Sequence, residues 1–200
     1  AIHKAVEEGK KQFVGFELPG RTLGVVGLGA IGVQVANAAR ALGMNVVGYG
    51  PTITVHRAWQ LASDVRQALN IDDLLSRSDF VTFHVPLTDH TRKMVDAERL
   101  KLMRKGGVLL NFARNGIIDD EAAVQALDED RLYAYVCDFP SNLLKDHPKV
   151  ITLPHLGAST KEAEDNCAVM VAEEVSDYLE HGNVSNAVNF PEILLPRNGG

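Results

Sequence analysis

Apolar and polar positions along this chain follow two rhythms. Short apolar runs recur at Thr22 to Val26, Asn45 to Tyr49, Phe80 to Val85, Val108 to Phe112, Tyr133 to Cys137 and Val150 to Leu153. Runs of this length, bounded by turn residues, read as buried strands. Between them the period lengthens to that of a helix. Ile31 to Leu42 carries apolar Ile31, Val35, Ala38 and Leu42 on one face, and Gly43 is a helix stop. Ile71 to Ser76, Asp96 to Met103 and Asp119 to Glu129 are further helices, the last with acidic residues near its start. Ile2 to Lys10 is helix-like, and residues 51–66 are irregular or helical around Trp59 and Leu61. Ser159-Thr160-Lys161-Glu162 fits a capping box, opening a helix that runs to about Glu180. The apolar positions of that helix, Ala163, Cys167, Met170, Val171, Val175 and Tyr178, read as mostly core. Alternating strands and helices predict an α/β fold with a mostly parallel sheet and helices on both faces.

The first strand runs into Gly27-Leu28-Gly29-Ala30-Ile31-Gly32. Strand, G-x-G-x-x-G and helix make the dinucleotide-binding arrangement of a doubly wound, Rossmann-type sheet. Gly27 permits the tight turn, Gly29 lets backbone approach a pyrophosphate, and Gly32 allows close helix–strand packing. The helix N-terminus adds free N–H groups and a partial positive charge.

Composition narrows the class. The 200 residues suit one domain, or one with extensions, and 46% hydrophobic with 23% charged residues fits a globular chain. A net charge of −6 argues against nucleic acid as a partner. No apolar run is long enough to span a bilayer, and no signal peptide is present. Cys137 and Cys167 make no disulfide framework and suit the cytoplasm. No ligand spacing suggests a metal, and no G-x-S-x-G elbow suggests a serine nucleophile. The chain starts at Ala1 and ends through Pro191, Pro196 and Gly199-Gly200, which reads as a domain of a longer chain closing in a linker over 191–200.

In parallel sheets a ligand sits beyond the carboxyl ends of the strands. The residues just past those ends are Gly27–Gly32, Gly50, His84–Pro86, Ala113-Arg114, Asp138 and Pro154-His155. Arginine forks onto carboxylates, and histidine exchanges protons near neutral pH, so Arg114 and His155 are candidate catalytic residues. A loop ion pair for Arg114 and a structural hydrogen bond for His155 fit the same positions. His84 reads as structural, and His3, His56, His90, His147 and His181 as solvent-exposed.

Four segments together resemble the D-2-hydroxyacid dehydrogenases. They are Gly24 to Gly32, Ser78 to Thr88 (SDFVTFHVPLT), Asn111 to Asp119 (NFARNGIID) and Pro154 to Thr160 (PHLGAST). The run from Ser159 through Asn186-Ala187-Val188-Asn189-Phe190-Pro191 resembles the D-3-phosphoglycerate dehydrogenases within that family. The resemblance implies a two-domain subunit in which residues 1–190 are the dinucleotide-binding domain with its flanking helices, most of the substrate domain being absent. It implies NAD as cofactor, a phosphorylated 2-hydroxy acid as substrate, and a homodimer. Hydride would pass between 3-phosphoglycerate and NAD, toward serine. His155 would take the hydroxyl proton and Arg114 would bind the substrate carboxylate. Gly27, Gly29, Ala30, Ile31 and Gly32 would hold the pyrophosphate, with Tyr49, Gly50 and Pro51 at the adenosine end. His84, Val85, Pro86, Phe112, Ala113, Arg114, His155, Gly157 and Ala158 would line the nicotinamide side, and Asp138 would lie near the carboxamide.

Two positions depart from the family pattern. Gly50 stands where an acidic residue usually binds the adenosine ribose, and Arg57 is the next arginine along. The family's histidine-paired glutamate has no counterpart in residues 139–147, where Asp146 is the carboxylate. Two other functions stay open: a dehydrogenase for another small D-2-hydroxy acid, and a non-catalytic NAD-sensing protein of the same fold.

Overall fold

A computed structural model describes residues 2–190. The chain divides into two compact units, Ala1–Pro154 and His155–Gly200. Residues 191–200, expected to be a linker, lie outside the described residues.

In the first unit, α1 (Ile2–Gly9) and a 3-10 turn (Lys10–Phe13) precede the sheet. Then follow β1 (Thr22–Val26), α2 (Ala30–Ala41), β2 (Asn45–Tyr49), α3 (Val55–Gln60), β3 (Arg66–Gln67), α4 (Ile71–Arg77) and β4 (Phe80–Phe83). The unit continues through α5 (Ala97–Leu100), β5 (Gly107–Asn111), α6 (Asp120–Asp128), β6 (Leu132–Cys137) and β7 (Val150–Thr152). All seven strands pair parallel, in the order β3-β2-β1-β4-β5-β6-β7. This is the doubly wound, Rossmann-type sheet that the alternation of apolar runs predicts.

Side-chain alternation divides the core into two clusters. Leu23 and Val25 of β1 pack with Val33, Ala36 and Ala39 of α2. Val26 and, from β4, Val81 and Phe83 pack with Leu74, Leu100 and Leu127 of α4, α5 and α6. Successive strand residues therefore feed opposite faces, and both faces are covered. Each fully buried side chain of this size, such as Phe83 or Leu74, contributes about 1.5–3 kcal/mol. The first face is extended by Phe80, which packs against the α2 cluster and whose ring lies 5.7 Å from that of Phe16; the Phe16 ring in turn lies 5.4 Å from Tyr133.

Two expectations about this unit are corrected. The buried face of α2 is Gly32, Val33, Ala36 and Ala39, whereas Ile31 and Leu42 are exposed. Small residues let the helix approach the sheet closely, and that approach sets its rotation. The two-residue strand β3 starts at the last residue of the stretch read as irregular or helical and was not expected. Its exposed Arg66 and Gln67 carry no apolar signal, and only backbone pairing to Val47 and Gly48 defines it.

The second unit holds α7 (Lys161–His181), ended by Gly182 at φ +74°. Its cap is Thr160, whose hydroxyl accepts the Ala163 N–H at 3.1 Å, one residue later than the expected box. α7 has no buried residue, and Met170, Val171, Val175 and Tyr178 are all more than half exposed. The core reading of that face is overturned, since a single helix and a short following segment offer too little to cover it. Among the described residues no helix is long and apolar enough to cross a membrane.

Candidate active site

β1 and β4 lie side by side where the strand order reverses, the switch point at which doubly wound sheets open a crevice. The end of β1 is tied to both neighbours. Gly27 N–H donates to the Tyr49 carbonyl at 2.8 Å, and His84 N–H donates to the Val26 carbonyl at 2.7 Å. Gly27 turns the chain at φ +93°, and a Cβ there would sit 2.4 Å from the His84 carbonyl oxygen. A Cβ on Gly32 would fall 1.8 Å from the Gly27 oxygen, so α2 packs directly on the turn. Gly29 is different: its Cβ would meet nothing within 4 Å, so its backbone faces open space.

Helices α3 to α7 are capped by their own side chains, Thr54, Asn70, Asp96, Asp119 and Thr160. Gly29, the N-cap of α2, supplies none. The first amides of α2 are thus left for an outside acceptor, in the geometry that binds phosphate.

A cavity of about 530 Å³ opens at this turn, lined by Gly27 to Gly29, Tyr49 to Thr54, Arg57, His84 to Pro86 and His90, among others. A second hollow of about 520 Å³ shares His84, Val85 and Pro86 and continues to Ile31, Phe112, Ala113 and Arg114. Two hollows with a common wall suit a ligand of two linked nucleotides. The exposed Ile31 belongs here, at the mouth, rather than in the core.

His84 is half-buried, and burial pushes its imidazole pKa down. Its Nε2 lies 3.0 Å from the hydroxyl of buried Thr82. The ring is thereby tied to the sheet and walls the cavity.

Arg114 sits on a turn shaped by buried Asn111. The Asn111 amide donates to the Arg114 carbonyl at 3.0 Å and contacts the Tyr135 hydroxyl at 3.3 Å. Its Oδ1 accepts the Ala113 N–H at 3.2 Å. The Arg114 guanidinium donates to the Ala113 carbonyl at 2.7 Å and lies 5.7 Å from the Phe139 ring centroid. It is exposed, and among the described residues no carboxylate pairs with it. Half-buried Asp138 follows β6. Burial pushes the neighbouring Cys137 thiol up to about 11, which leaves it unreactive.

His155, Gly157 (φ +54°) and Ala158 are exposed and belong to the second unit, ahead of α7. Asp146 points to solvent, its side chain 86% exposed beside Lys145. His147, expected to be exposed, is largely buried. Its Nε2 lies 3.1 Å from Asp128 and its Nδ1 accepts the Lys149 N–H, so it pins the loop before β7.

The family of D-isomer specific 2-hydroxyacid dehydrogenase NAD binding domains matches residues 1–157. The chain is similar to the D-3-phosphoglycerate dehydrogenase of Methanocaldococcus jannaschii, 41% identical over 196 residues, covering 95% of this chain and 37% of that protein. Among solved structures it is similar to a glyoxylate reductase from Paecilomyes thermophila, at a TM-score of 0.76 and 28% identity, covering 88% of this chain and 54% of the other. A D-lactate dehydrogenase from Aquifex aeolicus, complexed with NAD and lactic acid, gives a TM-score of 0.71 at 25% identity, covering 88% and 61%. This chain is a member of the D-isomer specific 2-hydroxyacid dehydrogenases.

The family's description names NAD, the cofactor that the glycine turn and the resemblance predict. The turn fits that group: an uncapped helix start, an open Gly29 and a two-lobed cavity are what a dinucleotide requires. In this dehydrogenase domain two residues near the site escape sequence reasoning, and a third, already noted beyond Gly50, comes closer than its spacing suggests. Leu28 is buried beneath Gly48 and Gly50, Asn111 builds the arginine turn, and Arg57 lines the nucleotide cavity. A polar Asn111 closing an apolar strand is the one signal that could have been followed.

Proposed function

We propose that the full protein oxidises D-3-phosphoglycerate with NAD, and that this chain supplies the dinucleotide cradle, the carboxylate-binding arginine and the acid–base histidine. The observation that carries the reading is the open Gly29 at an uncapped helix start, in a chain of this family. The chain spans 37% of the length of the phosphoglycerate dehydrogenase it resembles, so the substrate's other contacts belong to the rest of the protein. We expect this chain by itself to turn over nothing.

Gly27, Gly29, Ala30, Ile31 and Gly32 hold the pyrophosphate through backbone amides. Tyr49, Gly50 and Pro51 receive the adenosine. His84, Val85, Pro86, Phe112 and Ala113 would line the nicotinamide; the family resemblance adds Gly157 and Ala158 to that end and gives Asp138 to the carboxamide. When bound, the nicotinamide ring supplies the hydride acceptor. Arg114 forks onto the substrate carboxylate, its charge free of competing carboxylates among the described residues. His155 takes the hydroxyl proton on an imidazole nitrogen, a transfer histidine performs near neutral pH. Fixing these groups against one substrate supplies a large part of the rate.

The test is an assay of the full protein on 3-phosphoglycerate, glycerate and lactate in parallel. The reading expects the highest kcat/KM on 3-phosphoglycerate. A higher value on another acid would reassign the substrate, and cofactor binding without turnover of any acid would make the protein a nucleotide sensor. Free Cys137 and Cys167 support the reducing cytoplasm as its compartment. Exposed Trp59 and Leu69 support a homodimer, for which sedimentation should give a two-chain mass.

A further inference from the structure

We propose that the adenosine end of the nucleotide cavity accepts the 2′-phosphorylated dinucleotide about as readily as NADH, with Arg57 receiving the additional phosphate. This rests on the reading of the cavity as a dinucleotide site.

Discrimination against a 2′-phosphate ordinarily comes from a carboxylate at the end of the second strand, which bonds the ribose hydroxyls and repels the phosphate. Here β2 ends at Tyr49 and the next residue is Gly50, which lines the cavity without a side chain. None of the described residues lining that cavity is acidic. The space beside Gly50 belongs to buried Leu28. A Cβ on Gly50 would lie 3.0 Å from the Leu28 Cβ and 3.2 Å from its backbone nitrogen. This end of the site therefore holds packed hydrocarbon where the repelling charge would be.

The same wall carries a cation. Arg57, on α3, lines the cavity with Gly50, Thr52 and Thr54. Sequence separation hides this, because six residues divide Gly50 from Arg57. The turn through Pro51 to Thr54 brings them to one cavity. Thr54 caps α3, accepting the Arg57 N–H at 3.3 Å, and this fixes the backbone from which the guanidinium extends. Arg57 Nη1 donates to the Gln60 side-chain oxygen at 2.9 Å. That bond orients the guanidinium without neutralising it, and among the described residues no carboxylate pairs with it. A guanidinium has five N–H donors, so those not given to Gln60 remain for phosphate oxygens. In a chain of net charge −6, a cavity with a half-buried arginine and no carboxylate in its wall is a local exception that favours an anion.

Calorimetric titration of NADH and NADPH, separately, into the full protein tests this. Dissociation constants within about threefold of each other are expected. Arg57→Gln should weaken NADPH by about tenfold, the size of one charge-assisted hydrogen bond, and leave NADH within about twofold. Gly50→Asp should weaken NADPH selectively, although Leu28 must shift to admit it. The Arg57→Gln comparison stands without that variant. NADPH binding ten or more times weaker than NADH in the unsubstituted protein would overturn the inference while leaving the NAD site intact. Equal losses for both nucleotides in Arg57→Gln would also overturn it. Heat from neither nucleotide would instead bring down the dinucleotide reading, and this inference with it.

Discussion

Gly27, Gly29 and Gly32 share a motif but answer to different constraints. Gly27 needs its positive φ, and Gly32 needs the absence of a Cβ, which would lie 1.8 Å from the Gly27 oxygen. Gly32→Ala must lever α2 away from the turn, at a cost of about 1–3 kcal/mol, and urea unfolding together with NADH binding should show both losses. Asn111 acts through the turn it holds. Asn111→Ala strips partners from the Ala113 N–H and the Tyr135 hydroxyl, and should cost about 1–3 kcal/mol in unfolding experiments. In the full protein it should lower kcat/KM while NADH affinity holds, because the arginine turn is loosened and the glycine turn is not. The glycine turn was legible in the sequence because its geometry depends on local spacing. The roles of Asn111 and Arg57 were not, because Tyr135 and the nucleotide cavity reach them from elsewhere in the chain.

At the scale of elements, the apolar runs announced six of the seven strands, while their ends were set by pairing and packing. β4 ends at Phe83, where its partner β1 ends at Val26, and the His84 N–H makes the last bond to the Val26 carbonyl. β3 was invisible, since two exposed polar residues carry no pattern. The face of α2 was misread because counting large apolar residues overlooks glycine and alanine, which make the closest contact. Val33→Ala should therefore cost about 1–2 kcal/mol in urea unfolding, and Ile31→Ala close to nothing. The second variant should instead be felt in nucleotide affinity. The start of α7 gives a similar contrast. Thr160→Ala should cost about 1 kcal/mol of helix stability, read as faster amide exchange in the first turn, and Ser159→Ala should not.

For the molecule as a whole, several titrations lean the same way. Burial holds the His84 imidazole below its ordinary 6.5. Asp64, Asp119 and Asp130 are held below the ordinary 3.8 by Arg40, Lys93 and Lys149, and Asp73 by the Leu69 N–H and Arg77. In each case the unfolded chain binds more protons as pH falls, so stability is full above the ordinary value and is lost below it. Asp120, raised by burial, works in the opposite sense. Urea midpoints should fall from about pH 7 to about pH 5, and His84→Gln should flatten that part of the curve.

The central claim is that the turn after β1 holds a dinucleotide by its backbone. Gly29→Asp tests it most directly. Aspartate is a favoured N-cap and meets no obstruction at this position, so α2 should be as stable as before or more so. The same carboxylate would occupy and repel the place of the pyrophosphate. NADH titrated into the full protein should give saturable binding, and Gly29→Asp should weaken it by about tenfold or more with the melting temperature maintained. A Gly29→Asp protein that binds NADH as tightly as the original would contradict the account.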